Sequence, residues 1–356
     1  MFMIKKEEGV HSNFKRNLII IVSISLIIFL ILFFYPSNVI IEKIPTCGDD
    51  SFYETCSLNK PYYCSEGVLI EKASICKCPN NLTKQGDSCL SNYQTKPKEI
   101  NLKYILRGEE GEINYKVYGG EIKYLSNVSK TITYWNEEIP SRRDFKLKNI
   151  NEETQRQLLL PLVVKIQNSA DNENDRVRIA VSAVQNIPFG SSNKTTIIGK
   201  GLKTNYSRYS SEVLYDFEGV CGEKVELLAF LLREMGYGLA FFYYSEENHE
   251  ALGIKCPVEY SVGNTGYCFV ETTGPSIITD NTIEYADGIK LNSKPEVFLI
   301  SRGASLSGDL YEYVDAKDLI KIREDIEEDG KLNLFKSSRF EKLKEKYGLV
   351  GEYNAE

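Results

Sequence analysis

The chain has 356 residues, of which 42% are hydrophobic and 26% are charged. This length is enough for two or three domains with a sizeable core, and the composition is typical of a globular protein. The formal net charge is −7 at pH 7. A chain with excess negative charge gains nothing electrostatically from a phosphate backbone, so nucleic acid is excluded from the expected partners.

An apolar run near the N-terminus predicts a membrane-spanning helix. Residues 18–35 read LIIIVSISLIIFLILFFY, and their only polar side chains are Ser23, Ser25 and the Tyr35 hydroxyl. Eighteen helical residues span about 27 Å, close to the thickness of one bilayer core. The alternative is a cleaved signal peptide, but the run is longer than a usual signal h-region and no A-x-A-like site follows it. We therefore expect an uncleaved anchor.

Basic residues before this run predict its orientation. They are Lys5, Lys6, Lys15 and Arg16. Positive charge favours the cytoplasmic side of a membrane, so residues 1–17 are expected to form a cytoplasmic tail. The prediction is a single-pass protein of the cell membrane, in contact with membrane lipid, whose chain lies outside the cytoplasm from residue 36 onward.

Residues 36–97 are rich in cysteine. They contain six of the nine cysteines of the chain: Cys47, Cys56, Cys64, Cys76, Cys78 and Cys89. An even number in a short, loop-rich stretch outside the cytoplasm predicts three disulfides, for which fifteen pairings are possible. A structural zinc site is the alternative, and the lack of a C-x-x-C pair or a nearby histidine argues against it.

Four N-x-[ST] sequons also fit an exported chain and are candidate glycosylation sites. Their asparagines are Asn81, Asn127, Asn193 and Asn205.

The periodicity of apolar residues changes along the middle of the chain. Aromatic and β-branched residues alternate between residues 99 and 135, which predicts a small antiparallel sheet in a β-rich segment, residues 98–150. Further along, the apolar residues recur with a helical period. One predicted helix contains Pro161, where a kink or an interruption is expected. The next is expected to have Asn174 or Asp175 near its N-terminal cap.

The stretch DFEGVCGEKVELLAFLLREMGYG, residues 216–238, places Cys221 between Gly219 and Gly222. A helix is expected from here to Gly236, and it should be buried because its middle is apolar on every face. The N-terminus of a helix stabilises a thiolate, so a cysteine there is favoured as a nucleophile. The glycines would let a substrate approach and leave N–H groups for an oxyanion. The alternative is that Cys221 is a small buried residue with only a structural role.

The histidine count strengthens the case for a reactive cysteine. The chain has only two histidines, His11 and His249. His11 falls on the cytoplasmic side of the predicted anchor, so it cannot serve a site outside. His249 therefore remains as the candidate base, and it opens the strand HEALGIKC that follows the Cys221 helix and one further strand.

A carboxylate is expected to orient the imidazole, and Glu271 in the strand CFVETTGP is the candidate. If the two strands place His249 directly opposite Glu271, these odd-numbered side chains share one face of the sheet. The even-numbered Cys256 and Cys268 then share the other face, which predicts a disulfide between them. The alternative for Glu271 is a solvated carboxylate at a strand end.

The order G-V-C-G on a buried helix, N-H-E-A-L-G-I on a strand and F-V-E-T-T on the next strand resembles the transglutaminase-like superfamily. The segments RIAVSAVQNIPFG and YSRYSSEVLYDFEG extend the resemblance, which includes archaeal membrane-anchored members. It implies a papain-like α+β core in residues 151–300, with a buried helix packed on an antiparallel sheet. The charged residues 301–356 are expected to be a helical packing segment.

The resemblance also implies the roles of the site residues. Cys221 matches the nucleophile, His249 the base and Glu271 the orienting acid. The superfamily usually has aspartate at the third position, so glutamate is a departure. Gln185 in AVQNIPFG is a candidate oxyanion donor, although a buried amide with a structural partner explains it equally well.

Together these residues predict an extracytoplasmic thiol enzyme that forms an acyl-enzyme with a protein or peptide. Water as acceptor would make it a cysteine peptidase or amidase, and an amine would make it a cross-linking acyl transferase. We favour hydrolysis because no calcium-loop pattern is present, and we expect no cofactor and no metal. The remaining alternative is a catalytically inactive binding or scaffold protein, against which the intact set of site residues argues.

Overall fold

The structure is a computed structural model. It describes residues 22–26, 44–135, 139–191, 195–198, 202–205, 207–282, 284–285 and 289–349. The chain divides into two compact units, Met1–Ile44 and Pro45–Glu356. In the first unit residues 22–26 are helical, and the rest of the predicted span and the predicted cytoplasmic tail lie outside the described residues. Within the described ranges, no helix is long and apolar enough to cross a membrane.

The second unit begins with a small disulfide module. It contains the hairpins β1 (Tyr62–Ser65) with β2 (Val68–Glu71) and β3 (Thr83–Gln85) with β4 (Ser88–Leu90), and the helical turn α1 (Ala73–Cys76). The three predicted disulfides are confirmed, and the pairs are Cys47–Cys64, Cys56–Cys76 and Cys78–Cys89. A segment this short buries little apolar surface, so the covalent bonds supply the constraint that a larger core would give.

A long hairpin follows the module. β5 (Pro97–Leu106) pairs antiparallel with β6 (Glu109–Tyr118). Alternate side chains of the two strands are buried: Ile100, Leu102, Ile113, Tyr115 and Val117. The predicted sheet is therefore confirmed here, but residues 131–135, the described part of its last predicted stretch, form no strand. The Trp135 side chain is 81% exposed, so the alternating residues of that stretch have no buried face to occupy.

Helices make up most of the next hundred residues. They are α2 (Gly119–Leu125), α3 (Arg142–Ile150), α4 (Glu153–Asn168), α5 (Glu173–Gln185), α6 (Ser210–Asp216) and α7 (Cys221–Glu234). Pro161 lies inside α4, which continues through it, so the expectation of an interruption is wrong. The leucines around Pro161 are buried, and this packing holds the helix together despite the lost hydrogen bond.

Asn174 and Asp175 lie two and three residues after the N-cap of α5, which agrees with the expectation that they are near the cap. This N-cap is Asn172, whose side-chain oxygen accepts the N–H of Asp175 at 2.8 Å. The Asp175 carboxylate is engaged elsewhere, by the guanidinium groups of Arg107 and Arg178, at 2.7 and 2.8 Å. Asn174 and Asp175 therefore lie in the first turn rather than at the cap.

The disulfide module packs against α4. Val164 of this helix joins a small apolar cluster with Cys47, Tyr62, Cys64 and Leu69. The Asn168 side chain accepts the backbone N–H of Leu69 and donates to its carbonyl, both at 3.0 Å. The module is thus fixed to the helical part of the fold by a pair of hydrogen bonds and an apolar contact.

One short hairpin precedes the central sheet in the chain, and another lies between its last two strands in chain order. They are β7 (Thr195–Ile198) with β8 (Leu202–Asn205), and β12 (Glu284–Tyr285) with β13 (Ile289–Lys290). The central sheet has four antiparallel strands in the order β11 (Tyr267–Val270), β10 (His249–Lys255), β9 (Leu239–Tyr244) and β14 (Glu296–Ser301).

Helix α7 packs on this sheet through β10. Every side chain from Leu227 to Leu232 is at most 1% exposed, as its apolar composition predicts. Residues from the β5–β6 hairpin, α4 to α7 and the sheet share one hydrophobic core. The fold class is therefore α+β with antiparallel sheets, and the packing brings the start of α7 against one end of β10.

The predicted helical character of the C-terminal segment is found in α8 (Glu312–Asp329) and α9 (Leu334–Tyr347). Apolar side chains of these two helices pack together with residues from outside them and form a second apolar cluster. Its buried members are Ile277, Ala316, Leu319, Ile322, Phe340, Leu343 and Leu349. Arg323 of α8 binds the buried Asp280 carboxylate at 2.6 Å, which ties this cluster to the loop that follows β11.

Candidate active site

Cys221 is the first residue of α7, and buried charges hold it there. Glu223, in the first turn, accepts the backbone N–H of Val220 at 3.1 Å. The same carboxylate accepts the backbone N–H of Arg208 at 2.7 Å and its Nε at 2.9 Å, and the Arg208 side chain is fully buried. The start of the helix is therefore anchored. Cys221 itself is partly exposed, and it is the free cysteine among those described.

The two glycines beside Cys221 make room for the protein's own side chains. A Cβ at Gly222 would lie 2.3 Å from the Glu250 carboxylate, and one at Gly219 would lie 3.0 Å from Cγ of Lys224. A methyl group at Gly222 would overlap the Glu250 carboxylate unless that side chain moved, and a methyl group at Gly219 would be tight against Lys224. The sequence favoured glycine here for access by a substrate, whereas the structure explains both glycines by close packing.

His249 is the first residue of β10 and lies between Cys221 and Glu271. Its Nε2 is 3.0 Å from Oε2 of Glu271, and its ring is also hydrogen-bonded to the Cys221 side chain. Because Nε2 faces the carboxylate, Nδ1 is the ring atom left for the thiol. Burial alone would lower the pKa of His249, but the bonds to Cys221 and Glu271 outweigh it and raise this pKa from 6.5 to about 9.

Glu271 follows the last residue of β11 and is 1% exposed, so it is not the solvated carboxylate of the alternative interpretation. Its Oε1 accepts the N–H of Thr272 at 2.9 Å and the N–H and hydroxyl of Thr273 at 2.7 Å. Burial raises the pKa of Glu271, but the bonds from His249 and Thr273 outweigh it and lower this pKa. The carboxylate is therefore charged and fixed, with Oε2 directed at the imidazole.

The strand register brings these residues together with an offset. In the ladder, Leu252 lies opposite Val270. Continued by one residue, this register sets Glu271 opposite Ala251 rather than His249. The expectation of directly opposed side chains is thus wrong by two residues. The shared face is nevertheless correct, because a shift of two positions keeps a side chain on the same side of a sheet.

The opposite face carries the predicted disulfide. Cys256 and Cys268 are bonded to each other, with 5.7 Å between their Cα atoms. The bond closes the β10–β11 hairpin from the side away from the imidazole. It also confirms that Cys221 remains the free cysteine, as the odd total of nine predicts.

Gln185 does not occupy the position expected of an oxyanion donor. It is the last residue of α5 and 5% exposed. Its Nε2 donates to the carbonyl of Glu271 at 2.9 Å and to the carbonyl and hydroxyl of Ser276 at 3.2 and 3.0 Å. The amide is thus engaged with the loop after β11, as the alternative interpretation predicts. The backbone N–H groups of Cys221 and Gly222 are the donors nearest the thiol in sequence, since those of Glu223 and Lys224 already donate to the Val220 carbonyl at 3.1 and 3.0 Å.

Sequence reasoning missed a buried lysine in α7. Lys224 is fully buried, and its Nζ donates to the carbonyls of Gln185, Ile187 and Thr273 at 3.2, 2.5 and 3.1 Å. Burial lowers the pKa of Lys224 to about 8, although the nearby Glu271 carboxylate acts to raise it. A lysine in the first turn of a helix that is expected to be buried was the available signal, since such a side chain is rarely buried without partners.

An ion cluster on the other side of α7 was also missed. Lys146 of α3 binds Glu226 at 2.8 Å and Glu250 at 2.7 Å, and Arg142 binds Glu250 at 2.7 Å. The guanidinium of Arg142 lies 3.6 Å from the ring centre of Tyr243. Burial lowers the pKa of Lys146, but its two carboxylate partners outweigh this and raise it. This cluster supports the start of the helix on the side away from the imidazole.

The structure describes three of the four sequon asparagines. The side chains of Asn81 and Asn127 are exposed, as glycosylation requires. Asn205 is the last residue of β8, and Asn193 lies outside the described residues.

Comparisons with known proteins give no match. This holds for protein-family models, for curated proteins and for solved structures. Within the described ranges, no group of three or more His, Cys, Asp or Glu side chains could hold a metal ion. What the site offers is a partly exposed thiol, a buried imidazole and a buried carboxylate in hydrogen-bonded sequence, and these groups are suited to proton transfer and nucleophilic attack.

Proposed function

We propose that this chain is a membrane-anchored, extracytoplasmic thiol enzyme with a transglutaminase-like, papain-like core. It acts as a cysteine peptidase or amidase on a protein or peptide outside the cytoplasm. Cys221 is the nucleophile, His249 the base, and Glu271 the acid that orients the imidazole. The observation that carries the proposal is the hydrogen-bonded line from the partly exposed Cys221 thiol through His249 to the buried Glu271 carboxylate.

The reaction proceeds in two halves. In the first, His249 holds the proton of the Cys221 thiol, since its raised pKa of about 9 favours the protonated ring at neutral pH. The Cys221 sulfur attacks the carbonyl carbon of an amide, forming a C–S bond while the carbonyl π electrons move to oxygen. His249 then gives its proton to the amide nitrogen, the C–N bond breaks and the amine leaves. In the second half, His249 takes a proton from water, the hydroxide oxygen displaces sulfur from the acyl carbon, and the proton returns to the thiolate.

Glu271 and the start of α7 stabilise the charges that form. A buried carboxylate on Nε2 fixes the tautomer of His249 and favours its protonated form, which is the form that donates to the leaving amine. The N–H groups at the N-terminus of α7 provide the positive end of the helix for the oxygen that becomes negative. The site thus supplies each group that an acyl transfer needs.

The location outside the cytoplasm is supported by two independent features. The apolar run of residues 18–35 is long enough for a membrane anchor with the basic residues on its cytoplasmic side. Four disulfides in one chain are typical of an oxidising compartment. A thiol that is kept free in such a compartment is then a selected feature rather than a leftover.

The acyl-enzyme itself provides the test. The chain is incubated with activated peptide amides and quenched in acid, and its mass is measured. We expect an acyl adduct that maps to Cys221, that is absent in Cys221→Ala and that decays in water. Added primary amines report the second half-reaction: an amide product would identify an acyl transferase instead of a hydrolase. A wild-type chain that never forms the adduct with any of these peptides would favour the inactive scaffold.

A further inference from the structure

Lys224 is placed between the nucleophile and the acid of the proposed site. It lies three residues after Cys221 in α7, and its side chain is fully buried. An ammonium group has three N–H donors, and the three carbonyls of Gln185, Ile187 and Thr273 are its acceptors. Two of these acceptors belong to the end of α5, and the third belongs to the loop that begins with Glu271.

The loop after β11 is held from two directions. Lys224 binds it at the Thr273 carbonyl. The Gln185 side chain binds it at the carbonyls of Glu271 and Ser276. Because the backbone from Glu271 to Ser276 is tied to α5 and α7, the carboxylate has little freedom to turn away from His249.

We propose that Lys224 is a positioning residue for the proposed reaction. Its ammonium ties the Glu271 loop to the helix that carries Cys221, and so keeps the Glu271 carboxylate against the His249 ring. The inference rests on the proposed function for its purpose, but its test is a property of His249 and does not require turnover.

The surroundings of Lys224 make its role testable. Glu271 is the charged group that faces it, and the α5 end and the loop face it through backbone carbonyls. At the loop before α7, Gly219 has no side chain, which leaves 3.0 Å between its ideal Cβ position and Cγ of Lys224. Loss of the cation would act on His249 in two opposite ways. Removing a positive charge raises the pKa of the imidazole, whereas releasing the carboxylate lowers it.

The experiment is the titration of His249 by NMR of imidazole carbons in the full chain in detergent micelles. A His11→Ala background leaves one imidazole in the molecule. We expect the pKa of His249 to fall in Lys224→Met from about 9 toward its ordinary value of 6.5, because Glu271 is released. Lys224→Arg retains a cation at this position and should keep the value closer to that of the parent.

Lys130→Met is the matched control. This lysine also has its pKa lowered by burial, to about 8, but its Nζ donates to the carbonyl of Ser207 at 3.3 Å and lies 3.1 Å from the ring centre of Tyr209. It should leave the titration of His249 unchanged. A purely structural role of Lys224 would lower the unfolding temperature without moving the pKa of His249.

The outcomes are distinct. A pKa of His249 that stays near 9 or rises in Lys224→Met overturns the proposal. If that variant does not fold, Gln185→Met decides, since it removes the second tie and should lower the same pKa by a smaller amount. An unchanged value there also overturns it. A lowered pKa in a chain that never forms an acyl adduct would support the positioning role and remove the enzymatic one.

Discussion

Two polar clusters meet at the start of α7, and they differ in whether solvent can reach one of their reactive groups. His249 and Glu250 are consecutive on β10, so their side chains point to opposite sides of the sheet. On the first side, His249 joins the buried Glu271 to the partly exposed Cys221. On the second side, Glu250 lies under Gly222, whose missing side chain makes room for it.

In the second cluster the charged side chains form ion pairs with each other. Lys146 and Arg142 bind Glu250, and Lys146 also binds Glu226. Each buried carboxylate there has a cation within hydrogen-bond distance, which is how a fold tolerates charge in its interior. The first cluster ends instead in an atom that solvent can reach. Neighbouring residues of one strand thus serve a reactive site on one face and a structural network on the other. The two clusters differ in that solvent can reach the Cys221 thiol of the first.

The largest expected effect falls on the first cluster. His249→Ala should lower the rate of Cys221 acylation by about 10²- to 10⁴-fold, because the proton-transfer group is lost. The chain should still fold, since Glu271 keeps its three donors from Thr272 and Thr273. Acylation is followed by mass spectrometry and folding by far-UV circular dichroism. Wild-type acylation rates in a folded His249→Ala chain would remove His249 from the mechanism.

The second cluster should respond in stability. Lys146→Met leaves the carboxylates of Glu226 and Glu250 buried without their shared cation, and breaking a buried pair in this way costs about 3–5 kcal/mol. Denaturant unfolding measures the change. Lys116→Met is a comparison on the protein surface, where Lys116 pairs with the exposed Glu99 at 3.4 Å. Equal losses of unfolding free energy in the two variants would show that the cluster under α7 contributes no more to stability than a surface ion pair.

The glycine between the clusters offers a smaller test. Gly222→Ala places a methyl group 2.3 Å from the Glu250 carboxylate, and overpacking of this kind costs about 1–3 kcal/mol. Gly274→Ala is the matched control, because nothing lies within 4 Å of its Cβ position. Both free energies of unfolding come from the same denaturant titration. If Gly222→Ala is as stable as Gly274→Ala, close packing does not explain this glycine.

The smallest expected effect is the dependence of stability and of the acylation rate on pH. Folding raises the pKa of His249 from 6.5 to about 9. The imidazolium and the stability it contributes are therefore fully present below pH 6.5 and are lost as the pH rises through about 9. Acylation by an amide needs this proton for the leaving amine, so its rate should fall about tenfold per pH unit above that range. An upper limb near pH 7 would mean that Cys221 and Glu271 do not raise the pKa of His249.

The sequence predicted the elements of the site better than their contacts. The apolar run from Leu227 to Leu232 was enough to predict a buried helix, and residue parity was enough to predict the Cys256–Cys268 disulfide. Both depend on periodicity within one element or hairpin. The offset between His249 and Glu271 could not be read in this way, because the register depends on the turn between Cys256 and Tyr267.

Other features depend on partners far apart in the chain. The pairing of the six module cysteines is one of fifteen possibilities that spacing does not distinguish. The roles of Lys146 and Lys224 become visible only when the carboxylates and carbonyls that surround them are known. Gln185 was singled out as an oxyanion donor for a similar reason, since nothing in the sequence shows that its amide is engaged by the loop after β11.

The claim that Cys221, His249 and Glu271 act as one unit is tested most directly by a double-mutant cycle on the rate of Cys221 acylation. The four chains are wild type, His249→Ala, Glu271→Gln and the double variant. We predict a smaller loss for Glu271→Gln than for His249→Ala, because the amide oxygen can still accept a bond from the ring. In the His249→Ala background, Glu271→Gln should cause no further loss, since the carboxylate acts through the imidazole. Losses that multiply in the double variant would contradict the account.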